Sequence, residues 1–84
     1  SADAKARRTT YLIGRVASQQ LLWARAMYAD GKARGQSTGT AYRRVARSVL
    51  RIQTAMLRDG VPYDDARYVA ALKAKGVPWA APLP

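Results

Sequence analysis

The sequence predicts an all-α protein with two long amphipathic helices, a short third helix and an extended, proline-rich C-terminal tail. Apolar residues recur at spacings of three and four through residues 4–29 and again through residues 40–58, as in a helix with one apolar face. All four prolines come after these two segments, and Gly14 is the only glycine inside them. With 84 residues, the chain forms one small helical domain or one subunit of an assembly.

The first predicted helix covers residues 4–29. Gly14 in its interior is expected to cost up to about 1 kcal/mol relative to alanine. Gln20 is a polar member of the apolar stripe, and we expect it to set the register of packing. The other members of this stripe are predicted to dock on a partner: Ile13, Val16, Trp23 and Met27. The opposite face is predicted to contact a polyanion and carries four arginines: Arg7, Arg8, Arg15 and Arg25.

Residues 30–39 are predicted to connect the two long helices, because three glycines and several small polar residues oppose regular structure there. Ser37, Thr38 and Thr40 are candidates to cap the second helix by accepting a backbone N–H bond. Ten residues are more than a helical hairpin needs. The two long helices therefore form an αα-hairpin, reach separate partners, or pair with a second copy as a four-helix bundle.

The second predicted helix, residues 40–58, has two opposed faces. At about 100° per residue, the centres of its apolar and basic stripes lie about 160° apart. The apolar stripe is predicted to dock on a partner and contains Tyr42, Val45, Val49, Ile52 and Met56. The basic stripe is predicted to contact a polyanion and contains Arg43, Arg44, Arg47, Arg51 and Arg58.

Two similar tetrapeptides, Gly-Val-Pro-Tyr at 60–63 and Gly-Val-Pro-Trp at 76–79, mark two helix ends. Glycine can close a helix in the left-handed conformation, and proline prevents its continuation. Residues 64–75 between them are predicted to form the short third helix, with aspartates at its positive end and lysines at its negative end. In the tail, residues 77–84, Trp79 and Leu83 either pack back on the helices or anchor the chain in a groove of a partner.

The composition excludes most kinds of catalysis. The chain has no His, no Cys and no Glu, so the usual nucleophiles, general bases and metal ligands are scarce. We therefore predict a protein that is not an enzyme and that has no cofactor and no metal site. The net charge is +10, from 15 basic and 5 acidic residues, and such self-repulsion favours an anionic partner. Arginine suits phosphate and carboxylate contacts, although a GC-rich genome gives the same bias.

The sequence has no apolar run near the 18–20 residues, roughly, of a membrane span and no core of a signal peptide. We therefore expect no transmembrane span, and a location inside a cell, inside an organelle or in a virion. Contact with an anionic lipid surface remains open, because the same arginines suit lipid headgroups.

These patterns predict a non-catalytic, basic helical subunit of a larger assembly or homo-oligomer. It would dock through its apolar stripes and contact nucleic acid through its arginines without reading base sequence. The alternative is an accessory structural subunit of a protein or membrane-bound complex, such as a respiratory complex or a virus particle, without nucleic-acid contact. Residues 56–72 also resemble in part the helix-turn-helix of bacterial regulators, which implies a DNA-binding regulator. Two aspartates begin its second helix, where phosphates normally lie.

Overall fold

The computed structural model describes residues 2–84. Its regular elements are all helical, and the predicted all-α class is confirmed. They are α1 (Ala2–Gln20), α2 (Leu22–Ala33), α3 (Thr38–Asp59), α4 (Asp65–Ala74) and a single 3-10 turn at Pro78–Ala80. No helix within residues 2–84 is long and apolar enough to cross a lipid bilayer.

The first long helix is interrupted at Leu21, which differs from the single helix predicted for residues 4–29. Leu21 takes an extended conformation, with φ −116° and ψ 128°. Its N–H still donates to the Ala17 carbonyl at 2.8 Å, and its carbonyl accepts from the Arg25 N–H at 3.0 Å. The break lets α1 and α2 both pack on α3, while the partly buried Leu21 side chain contacts the core. Gln20 is exposed beside this break and does not lie in the packing stripe.

A short turn joins α2 to α3. The Gln36 N–H donates to the Gly31 carbonyl at 3.0 Å and closes the last turn of α2. Ser37 caps α3, because its hydroxyl accepts from the Thr40 N–H at 3.2 Å. The connector is thus shorter than the ten residues predicted, and α2 and α3 form an antiparallel hairpin.

The core lies where α1, α2 and α3 meet. Its centre is Trp23 from α2 and Val45 from α3, both fully buried. The surrounding buried side chains are Ala17, Ala24, Met27 and Val69. Small residues dominate this list, so the helices approach closely and the apolar area that each residue buries is modest.

Helices α1 and α3 approach each other closely at Gly14 and Tyr42. A Cβ atom at position 14 would overlap the backbone carbonyl of Tyr42, so this glycine permits the contact rather than merely weakening α1. The Tyr42 ring lies 4.4 Å from Tyr28, stacked, and 5.1 Å from Tyr11, edge to face. Burial raises the pKa of Tyr42, and the neighbouring Tyr28 adds to this effect.

The C-terminal part packs on α2. Gly60 (φ 64°) and Gly76 (φ 75°) end α3 and α4 in the left-handed conformation, as predicted. The Asp64 carboxylate caps α4 by accepting from the Arg67 N–H at 3.1 Å. The predicted extended tail instead folds back through the 3-10 turn, because Ala80 is fully buried and the Lys73 ammonium donates to the Leu83 carbonyl.

The protein has the shape of a flat slab of 39 × 34 × 20 Å. Its thickness corresponds to two helix layers, since one helix with side chains is about 10–12 Å wide. Its radius of gyration is 13.2 Å, whereas a compact chain of this length has about 12 Å. The excess agrees with the flattened shape of the slab.

Candidate functional site

Two surfaces of α3 carry the candidate functional residues. The first is its outward face, where Arg47, Arg51 and Arg58 are all exposed. Leu50, Thr54 and these arginines surround a shallow depression. We call Arg47, Arg51 and Arg58 the arginine ridge.

The arginines of the predicted basic stripe differ in how far they are neutralised. Arg44 lies 3.3 Å from the Asp30 carboxylate, which Arg34 also contacts at 3.2 Å. Arg58 donates two hydrogen bonds to Asp59, at 2.9 and 3.1 Å, and this holds the pKa of that carboxyl below its usual range.

The other three arginines have no carboxylate partner within residues 2–84. Arg43 reaches only the Thr40 hydroxyl, at 3.4 Å. Arg47 and Arg51 form no salt bridge in this part of the chain. Arg47 and Arg51 therefore supply the uncompensated charge of the arginine ridge.

The predicted basic residues of the first helix are divided between two elements. Arg7, Arg8 and Arg15 are exposed on α1, whereas Arg25 lies on α2 and donates to the Gln19 carbonyl at 3.4 Å. Because the break at Leu21 changes the direction of the chain, these four arginines do not form one continuous helix face.

The second surface is the groove between α3 and α4, an open cleft of about 1430 Å³. Its apolar floor consists of four partly exposed side chains: Ile52, Met56, Leu72 and Trp79. Six cations stand around it: Arg34, Arg44, Arg47, Arg51, Arg67 and Lys75. Three carboxylates also line it: Asp59, Asp64 and Asp65. The groove therefore combines an apolar floor with walls that are mainly basic.

The predicted docking residues fall into three groups. Three of them form the core of this chain and are covered by it: Trp23, Met27 and Val45. Four are half-buried against neighbouring elements: Ile13, Tyr42, Val49 and Leu83. In the last group, Val16 is 49 % exposed on α1, and three half-buried side chains line the groove: Ile52, Met56 and Trp79.

The apolar stripe of α3 thus serves two purposes. The first part, from Tyr42 to Val49, packs inside the chain. The second part, Ile52 and Met56, lines the groove. The surface available to a partner is accordingly smaller than the stripe predicted.

Sequence reasoning missed the residues that α4 contributes, including Arg67, Leu72 and Lys75. It also missed a hydrogen-bonded chain at the base of the groove. The Trp23 indole N–H donates to the Tyr63 hydroxyl at 2.9 Å, which donates to Asp65 at 2.6 Å. The one signal for this was the matched aromatic after each Gly-Val-Pro.

Two tyrosines of the groove have raised pKa values. Burial and the hydrogen bond to Asp65 raise the pKa of Tyr63. Burial raises the pKa of Tyr68, while the Ser48 hydroxyl and the Arg51 guanidinium oppose this. Arg51 lines the groove as well as the ridge.

These surfaces are suited to binding. Within residues 2–84, no group of three or more His, Cys, Asp or Glu side chains converges on a point where a metal ion would fit. In a helix-turn-helix unit, the second helix packs on the first. In this chain, α4 is instead separated from α3 by the groove. No family model, curated protein or solved structure matches this chain.

Proposed function

We propose that this chain is a non-catalytic, basic helical subunit of a larger assembly, which docks through the groove and contacts nucleic acid through the arginine ridge. The observation that carries the proposal is the pair Arg47 and Arg51, exposed on one face of α3 with no carboxylate partner within residues 2–84. Their exposure avoids a desolvation cost, and their one-turn spacing suits successive phosphates along a backbone.

The rest of the molecule supports a phosphate-backbone contact rather than base readout. The net charge is +10, so the field of the whole chain attracts a polyanion from a distance. An arginine can read guanine in the major groove, but exposed arginines one turn apart, with Leu50 and Thr54 beside them, suit contacts to successive phosphates, which position a protein without reading bases. We therefore propose binding that is independent of nucleic-acid sequence.

The test is binding to labelled duplex DNA and single-stranded RNA at several salt concentrations. If Arg47 and Arg51, the two unpaired members of the ridge, each neutralise one phosphate, replacing both with Gln should lower the slope of log K against log salt by about 1.8 for duplex DNA. The matched control replaces Lys5 and Lys32 with Gln, which removes the same charge away from both the ridge and the groove. Equal effects of the two double variants would contradict the role of the ridge.

The second candidate is an accessory structural subunit of a protein or membrane-bound complex without nucleic-acid contact. The apolar floor of the groove favours it, since phosphate would leave Ile52 and Met56 uncovered. Under this alternative, the unmodified chain binds neither DNA nor RNA at about 0.15 M salt, and its arginines are neutralised by acidic protein surfaces or lipid headgroups.

A further inference from the structure

We propose that the groove between α3 and α4 binds an acidic amphipathic helix of a partner protein. This inference rests on the docking half of the proposed function and states the chemistry of the docking partner. The groove shares Arg47 and Arg51 with the arginine ridge, but its apolar floor belongs to the docking half alone, so variants of the floor let the two parts fail separately.

The dimensions of the groove suit a helix. The segment of α3 that borders it runs from Arg44 to Asp59, which is about 22 Å at 1.5 Å per residue. Its volume of about 1430 Å³ exceeds the 300–1,000 Å³, roughly, of small-molecule pockets, and it is open to solvent. A helix about 10–12 Å wide and four turns long would occupy such a groove.

The floor presents the kind of contact that an amphipathic helix makes. Ile52 and Met56 are one turn apart on α3, and Leu72 of α4 and Trp79 of the 3-10 turn line the same groove. All four are only partly exposed, so a partner would complete their burial. Apolar anchors at positions i, i+3 or i+4, and i+7 of a bound helix would cover this floor.

The charges around the groove select an acidic partner. The three carboxylates are already engaged, because Asp59 pairs with Arg58, Asp64 caps α4 and Asp65 accepts from Tyr63. Arg34 and Arg44 share Asp30. Four cations of the walls therefore have no carboxylate partner within residues 2–84: Arg47, Arg51, Arg67 and Lys75. Carboxylates on a bound helix would neutralise them.

The other occupants fit these charges less well. A second copy of the chain would add another +10 to an already basic surface, which opposes association. Nucleic acid would meet the cations with its phosphates but would leave the apolar floor in contact with water. An acidic amphipathic helix satisfies both the floor and the walls.

The experiment is a selection from a displayed library of amphipathic helices of about 18 residues, about 27 Å long. Leucines occupy one face, and the flanking positions vary among Glu, Gln and Lys. We expect Glu to be enriched. A selected peptide should bind the full chain about tenfold or more tightly than its Glu→Lys counterpart, and this difference should narrow at about 0.5 M NaCl.

A neighbouring residue on α3 provides the matched control. Met56→Asp puts a carboxylate on the floor and should weaken the selected peptide about tenfold or more. Leu57→Asp changes a side chain that is 87 % exposed and outside the groove, and it should change affinity by no more than about twofold. The double variant Arg67→Glu and Lys75→Glu should move the preference towards the Lys peptide. Circular dichroism checks that each variant is helical.

The inference is overturned if the library yields no binder, if Glu is not enriched, or if Met56→Asp and Leu57→Asp act equally. Duplex DNA binding is measured on the same variants and should be equal in Met56→Asp and Leu57→Asp, which carry the same net charge. If the ridge binds DNA and no peptide binds, the groove inference alone fails. If the peptide binds and DNA does not, the nucleic-acid half of the proposed function fails.

Discussion

Gly14 shows how a single position can reverse an expectation from helix propensity. In an isolated helix, alanine is favoured over glycine by up to about 1 kcal/mol. Here the missing Cβ lets α1 approach the Tyr42 backbone, and backbone atoms cannot move aside as a side-chain tip can. The interior glycine is therefore part of the α1–α3 contact.

We predict that Gly14→Ala destabilises the fold by about 1–3 kcal/mol, because overpacking outweighs the gain in propensity. The midpoint of urea unfolding, followed by circular dichroism, measures this change. Gly39→Ala is the matched control, since its Cβ would meet only the mobile end of Arg43. An equal or stabilising effect of Gly14→Ala would refute the close approach.

Tyr63 is a second position where a single group, its hydroxyl, is expected to contribute measurably to the stability of the fold. Its hydroxyl is the acceptor for the buried Trp23 indole N–H and is itself a donor to Asp65. Tyr63→Phe should cost about 1–3 kcal/mol at neutral pH, because a buried donor loses its partner. Tyr11→Phe, which keeps the ring contact with Tyr42, is the control.

The same tyrosine gives the fold a pH dependence on the alkaline side. Its folded pKa is raised above the ordinary value of 10.0, so the unfolded chain loses this proton first. The stabilisation is complete below about pH 10 and declines as the pH rises above it. The difference in unfolding free energy between the unmodified chain and Tyr63→Phe should therefore narrow above that pH. Urea titrations from neutral to strongly alkaline pH test this, and a constant difference would contradict it.

At the scale of elements, the break at Leu21 is the feature that most changes the surface. It separates α1 from α2, so the apolar stripe predicted through residues 4–29 is divided between two directions. Trp23 and Met27 then pack into the core, and Val16 remains accessible. The extended conformation of Leu21 is also the conformation that a residue before proline prefers.

We therefore predict that Leu22→Pro is tolerated, with a change of less than about 1 kcal/mol in unfolding free energy. Leu22 is 56 % exposed and is the first residue of α2, where proline fits a helix well. Leu12→Pro, in the interior of α1 at a similarly exposed site, should cost about 3 kcal/mol or more. Helicity by circular dichroism and urea midpoints distinguish the two. An equal loss of unfolding free energy in the two proline variants would mean that the helix is continuous through Leu21.

The ends of α3 and α4 could be predicted from the sequence, because local chemistry determines them, whereas α2 continues to Ala33, beyond the predicted end at residue 29. Ser37, Asp64, Gly60 and Gly76 cap helices through their own side chain or backbone conformation. The break at Leu21 has no such marker, since Leu21 has no capping side chain and follows two glutamines. It results from tertiary packing, which the periodicity of a single segment does not encode.

The groove was predictable only in part for the same reason. The apolar stripe of α3 could be read from its spacing. The part of this stripe that α1 and α2 cover depends on the α2–α3 hairpin and on the close approach of α1 and α3 at Gly14. The partial exposure of Ile52 and Met56 could therefore not be inferred from the sequence. The residues of α4 that face them, such as Leu72, come from a segment with weak periodicity.

At the scale of the whole molecule, the high positive charge opposes the compact folded state. The chain carries +10 on a thin slab, and only two of its five carboxylates form salt bridges within residues 2–84, Asp30 and Asp59. Repulsion between cations within a screening length lowers the stability of the folded chain. Salt or a bound polyanion relieves it.

We predict that the thermal midpoint of the free chain rises by several degrees between about 20 and 300 mM NaCl, where the screening length shortens from about 20 to 6 Å. About 1 kcal/mol corresponds to about 4–8 °C for a domain of this size. The double variant Arg47→Gln and Arg51→Gln, with two uncompensated charges fewer, should respond less. A midpoint that falls with salt would show that attractive ion pairs dominate. Nucleic-acid affinity should change in the opposite sense, falling as salt rises.

The two tryptophans lie in different surroundings, and this makes the chain its own optical reporter. Trp23 is fully buried in the core, whereas Trp79 lies on the floor of the groove. Indole emission moves to shorter wavelength when water is removed from the ring. The emission of Trp79 should therefore respond when the groove is filled, while that of Trp23 responds only when the chain unfolds. With one tryptophan for each event, occupancy of the groove and stability of the fold can be followed in a single sample without an added label.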